Sequence, residues 1–138
     1  MDVVINYLAV AVSAALEVVL GAFWFGPLFG KMWLASMGQT RESMMSKMAG
    51  ANMPLTYTLQ VLSSLLLAYV LAHFVGLLGI TDTVMALQFA FWSWLGLVAT
   101  SMIGIVLWEG RSWKYYFITS SYYLVTIAVV TLILTYWK

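Results

Sequence analysis

Four apolar stretches, at about residues 3–26, 54–78, 84–108 and 115–137, run through the chain, and each is close to the roughly 20 residues a helix needs to cross hydrocarbon. None alternates polar with apolar residues, and an open sheet could not satisfy its backbone in lipid, so strands are not expected. With 64% hydrophobic and 8% charged residues and a mean hydropathy of +0.97, 138 residues could not hide their apolar surface in one small soluble core. The expected fold is an all-α membrane protein. One domain over residues 1–138 holds four transmembrane helices in an antiparallel bundle, with a surface-lying helical first loop at 27–53.

The composition also excludes several kinds of function. A net charge of +1 offers no basic field for nucleic acid. The absence of cysteine removes disulfides, thiolate metal sites and thiol nucleophiles together. Asp2 stands where a secretory signal would carry cations, so the first apolar run is expected to be retained.

Only about five residues, Gly79 to Thr83, separate the second and third runs, and Glu109 to Lys114 separate the third and fourth. Such short turns predict antiparallel neighbours and a tight series of spans two, three and four. The first and third loops carry Lys31, Arg41, Lys47, Arg111 and Lys114, whereas the opposite face has Lys138 and the terminal amine. The positive-inside rule then predicts a multi-pass protein of the cell (inner) membrane with both termini outside the cytoplasm. Trp24, Trp33, Trp108, Trp113 and Tyr115 would mark the inner interface, and Tyr7, Tyr136 and Trp137 the outer one.

In the first loop, Thr40 is positioned to cap a short helix over 41–49 that ends at Gly50, its methionines in the acyl boundary and Arg41 and Lys47 in water. The stretch from Gly21 to Trp33, GAFWFGPLFGKMW, reads as an interfacial motif built on Trp24, Gly26, Pro27, Gly30, Lys31 and Trp33. Pro27 should stop the helix, the glycines should permit a tight turn, and Lys31 can lift its ammonium to the headgroups. This motif, with Ala68 to Phe74 (AYVLAHF), Trp94 to Ser101 (WLGLVATS) and Trp108 to Lys114 (WEGRSWK), resembles domain of unknown function 1761 over almost the whole chain. The resemblance implies a small four-span prokaryotic membrane protein and brings no catalytic residues with it. The chain departs from the family pattern at Tyr123, where a histidine is common, and at Glu17, where an acid is unusual.

At a rise of about 1.5 Å per residue, Glu17 lies roughly 21 Å below the outer border, level with Gln60, Thr100, Ser101, Ser121 and Tyr122 in the other spans. These six residues are the candidate polar layer. A carboxyl at that depth should face the bundle, neutral or hydrogen-bonded, where it either clasps helices together or handles a proton, an ion or a small molecule. Asn6, Ser13, Glu17, Gly21 and Trp24 fall on one stripe of the first span. Ser64, Ala68, Ala72 and Gly76 on the second, and Gly96, Thr100 and Gly104 on the third, recur every fourth residue and are expected as packing seams. Asn6, His73 and Gln88 share a shallower depth and form a candidate outer polar cluster.

No metal site and no cofactor are expected, because a single histidine has no partners at ligand spacing. The chain has no His-Glu-x-x-His, no Gly-x-Ser-x-Gly and no phosphate loop, which argues against an enzyme. The leading expectation is a non-enzymatic, homo-oligomeric four-helix membrane protein in contact with lipid, whose polar layer packs helices or binds a small molecule or ion. One rival is a proton-coupled small-molecule exporter, since Ala14 to Val19 with Glu17 is similar to the first span of the small multidrug resistance exporters. Another is an accessory subunit that meets a membrane-protein partner through Trp92, Trp94 and Tyr122.

Overall fold

The first N–H groups of a helix have no acceptor within it, and lipid supplies none, so a membrane span needs a cap where it begins. In the computed structural model, which describes residues 2–138, each span has one. Asn6 accepts from Ala9 N at 3.1 Å, Asn52 from Leu55 N at 3.2 Å, Asp82 from Met85 N at 2.9 Å and Ser112 from Tyr115 N at 3.2 Å. Helix α1 (Tyr7–Phe23) continues through a π-turn, Trp24–Leu28, to complete the first span. Helices α2 (Gly30–Ser36) and α3 (Arg41–Met48) make the first loop helical, and α4 (Met53–Leu77) is the second span. Helix α5 (Thr83–Ser93), a second π-turn at Trp94–Ala99 and α6 (Thr100–Leu107) form the third, and α7 (Trp113–Tyr136) the fourth.

All four spans are long and apolar enough to cross a membrane, and no strand occurs among the described residues. The protein is the all-α, four-span antiparallel bundle that hydropathy predicts. Thr40 caps α3 through a reciprocal pair with Ser43, as expected of a short surface helix. Gly79, with φ +63°, ends the second span in a left-handed turn that brings Ile80 N to Val75 O at 3.0 Å.

The core is centred on the last span. Helix α7 packs against α1, α4, α5 and α6, and its buried side chains run from Tyr116 to Thr135. Helix α4 packs on α1, whereas α5 rests mainly on α7 and meets α4 through Phe74 and Phe89, with ring centroids 5.9 Å apart. The expected tight series of spans two, three and four is thus replaced by a radial arrangement about the fourth. On α4 the small-residue seam forms as predicted, with Ser64, Ala68 and Ala72 buried and a Cβ at Gly76 blocked by Val3. On the third span it does not: Gly96 has no neighbour near its missing Cβ, and the buried positions are Ala86, Ala90 and Ala99.

Candidate functional site

Glu17 projects from the middle of α1 and is 7% exposed. Ser13, one turn earlier, is fully buried, and Gly21, one turn later, leaves room for a phenol. A Cβ at Gly21 would stand 2.9 Å from the Tyr122 hydroxyl, which donates to the Glu17 carbonyl at 3.2 Å. From α4, Ser64 places its hydroxyl beside the carboxyl, and Gln60 Nε2 donates to Ser64 Oγ at 3.3 Å. Helix α7 adds Thr126, four residues after Tyr122 and fully buried. Three spans therefore converge on one carboxyl.

Between the first and fourth spans lies a half-open cavity of ≈360 Å³, with Glu17 and Thr126 on its floor. Its walls are Leu16, Val19, Phe23 and Val129, and the first three are exposed, so the opening faces the lipid side of the bundle. Glu17 Oε2 is buried there without a hydrogen-bond partner, as are Ser13 Oγ and Thr126 Oγ1. An unpaired buried oxygen costs about 1–3 kcal/mol, more for a carboxylate, whereas helical hydroxyls often turn to their own backbone. The carboxyl oxygen is the group that calls for a partner.

The expected polar layer assembles only in part. Glu17 and Tyr122 meet; Gln60 is exposed and reaches the carboxyl through Ser64. Ser121 is half-buried and donates to its own helix at Phe117 O. Thr100 and Ser101 are exposed on the outer face of the third span, and Thr100 Oγ1 donates to Gly96 O at 2.6 Å. The π-turn before them accounts for this: each added residue rotates all later positions by about 100° round the helix axis. Equal depth did not mean a shared face. Ser64 and Ser13 were legible in the sequence as seam residues but not as neighbours of the acid, and Thr126 could have been found from its spacing to Tyr122.

The outer cluster does not form. Asn6 is occupied as the α1 cap, His73 Nδ1 pairs with Tyr69 O at 3.0 Å on its own helix, and Gln88 is exposed. No hydrogen bond joins these three among the described residues. The aromatic surface proposed for a partner is also dispersed: Tyr122 is buried, Trp94 Nε1 donates to Ser120 O at 2.7 Å, and only Trp92 stands out, at 66% exposure.

In the interfacial motif Pro27 does not end the helix but sits inside the π-turn, and neither Gly26 nor Gly30 takes a positive φ. Gly30 is required for space, since its Cβ would lie 2.7 Å from Phe25 O; Gly26 has no close neighbour. Trp24 Nε1 donates to Ile118 O at 3.0 Å, while Lys31 is exposed and Trp33 half-buried. Trp24 and Trp94 each open a π-turn and each grip a carbonyl of α7.

The family "Protein of unknown function (DUF1761)" matches the chain over residues 8–135. No curated protein and no solved structure matches it.

Proposed function

The chain belongs to the DUF1761 family of proteins of unknown function, and from that membership and the site we propose that it is a non-enzymatic, homo-oligomeric binding protein. Its ligand is a small lipophilic cation or amine taken from the bilayer at Glu17. The observation that carries this reading is the unpartnered Glu17 Oε2 on the floor of an apolar cavity open toward lipid. An ionisable group within the membrane is costly unless paired, and an unpaired one is a functional candidate by default. The apolar walls take the body of such a molecule and the carboxyl its charge.

Detergent-solubilised protein should bind tetraphenylphosphonium saturably, and Glu17→Gln should weaken binding about tenfold or more while melting at a similar temperature, since a charge-assisted contact is lost. Equal binding by both proteins would remove Glu17 from the ligand site. Proton-coupled export is the second reading, favoured by the same carboxyl and its access from lipid. It requires in addition that the cation accumulate in proteoliposomes against its gradient when a pH difference is imposed.

Self-association has support from the third span, the least buried of the four, which leaves Trp92, Gly96, Thr100 and Ser101 on its outer face. Small and hydroxylated residues on an outward face suit close packing with a second copy. For orientation we take the loops that carry Lys31, Arg41, Lys47, Arg111 and Lys114 to be cytoplasmic in a bacterial inner membrane. Single cysteines at Ser36 and Thr81 check this: in whole cells an impermeant thiol reagent should label only Thr81→Cys, and labelling of Ser36→Cys alone would invert the topology.

A further inference from the structure

A second cavity, larger than the one beside Glu17, lies outside the helix bundle, where the first loop folds back against the end of the first span. It is a pocket of ≈1010 Å³. On one side the π-turn contributes Pro27 and Leu28, and on the other stand Lys31, Trp33, Arg41 and Met44. No acidic side chain lines it: Glu42, next to Arg41 in the first turn of α3, stays outside the lining. Trp33 packs on Phe25 with ring centroids 4.9 Å apart, and its indole Nε1 is buried without a hydrogen-bond partner.

These features form one chemical pattern. Two basic side chains and an unpaired N–H donor call for an anion rich in acceptor oxygens, and a guanidinium matches the oxygens of a phosphate in pairs. Pro27, Leu28 and Met44 supply apolar surface beside that charge at the border of a membrane span, where an acyl chain would run. We propose that the pocket binds the phosphate headgroup of one anionic glycerophospholipid, with Lys31, Arg41 and the Trp33 indole N–H holding the phosphate. The site is independent of Glu17, which lies in the separate cavity between α1 and α7.

The pocket explains why the loop is built as it is. The capping box at Thr40 and Ser43 fixes the start of α3, so Arg41 is presented from an ordered first turn. Ser112 Oγ donates to Ser36 O at 3.3 Å, which ties α2 to the start of the fourth span and holds the Lys31 and Trp33 side of the pocket to the bundle. Arg111 and Lys114 belong to the same membrane face but do not line the pocket, so they provide the control for general attraction between cations and an anionic surface.

Native mass spectrometry of the detergent-solubilised protein titrated with phosphatidylglycerol tests the proposal. Wild type should retain one phosphatidylglycerol per chain in preference to phosphatidylcholine, and inorganic phosphate should not displace it. The double variant Lys31→Gln/Arg41→Gln should bind at least about tenfold more weakly, because it loses two charge-assisted contacts. The paired control Arg111→Gln/Lys114→Gln should bind as wild type does. If the double variant melts early, Trp33→Phe decides, since it keeps the ring on Phe25 and removes only the N–H donor; its affinity should fall several-fold. Equal loss in the control variant, equal affinity for phosphatidylcholine, or no loss in Trp33→Phe would each overturn the site. Displacement by inorganic phosphate would show a free-anion site and overturn the lipid assignment.

Discussion

Ala68→Leu should destabilise the bundle in detergent by about 1–3 kcal/mol, whereas Leu66→Phe, two residues away, should change it by less than about 0.5 kcal/mol. Ala68 has no exposed surface, lies on α4 where that helix packs against α1, and belongs to one core cluster with Ala9, Ala14 and Leu71. Small side chains on both helices set the distance between their backbones, and three extra carbons have no space unless the helices part. Leu66 is 63% exposed and faces lipid, where a larger ring meets only acyl chains. Parting α1 from α4 would also draw Ser64 away from Glu17, so the damage should reach the site. Thermal melts followed by tryptophan emission would measure both. Similar small losses for the two variants would show that the seam between α1 and α4 is looser than its burial implies.

The second large effect concerns pH. If Glu17 takes the cation as proposed, cation and proton compete for one carboxyl, and binding one must release the other. Purified wild-type protein should release about one proton for each tetraphenylphosphonium bound. Over the range in which the carboxyl is protonated, its affinity should rise about tenfold for each unit increase in pH and then level off. Glu17→Gln should release no protons and show a flat, weak profile. A substitution that only disturbed packing would lower stability without removing the pH slope, which separates the two roles. Proton release that persists in Glu17→Gln would place the exchange at another group and end the case for Glu17.

How much of the molecule was legible from the sequence depended on which physical rule each feature obeys. The spans follow from length and hydropathy alone and could be read directly, whereas the four side chains that cap their starts emerged only in the structure, where Asn6, expected in an outer cluster, is one of them. The depth of Glu17 was also readable, because rise per residue is fixed. The surroundings of that carboxyl were not. Facing depends on helix phase, and the π-turn at Trp94–Ala99 breaks the four-residue pattern that placed Gly96, Thr100 and Gly104 on a seam. Neighbourhood depends on which spans touch; short loops suggested that α4 and α5 pack together, but α7 takes the central position instead. Gly30 differs for a related reason. Its place beside Pro27 suggests a turn residue, yet it is required by the approach of Phe25 O, a contact that only folding creates.

The position of that central span also bears on the order in which the protein is made. Spans emerge from the ribosome one after another, and the one on which the others converge is the fourth. Until it enters the bilayer, Glu17 has only Ser64 and its own helix for company, and the indoles of Trp24 and Trp94 lack the carbonyls of Ile118 and Ser120. The third span has little else to rest on. The order of insertion therefore divides the fold in two: the first and second spans can pair along the α1–α4 seam once both are in the bilayer, whereas the cavity beside Glu17 and the seat of the third span form only with α7.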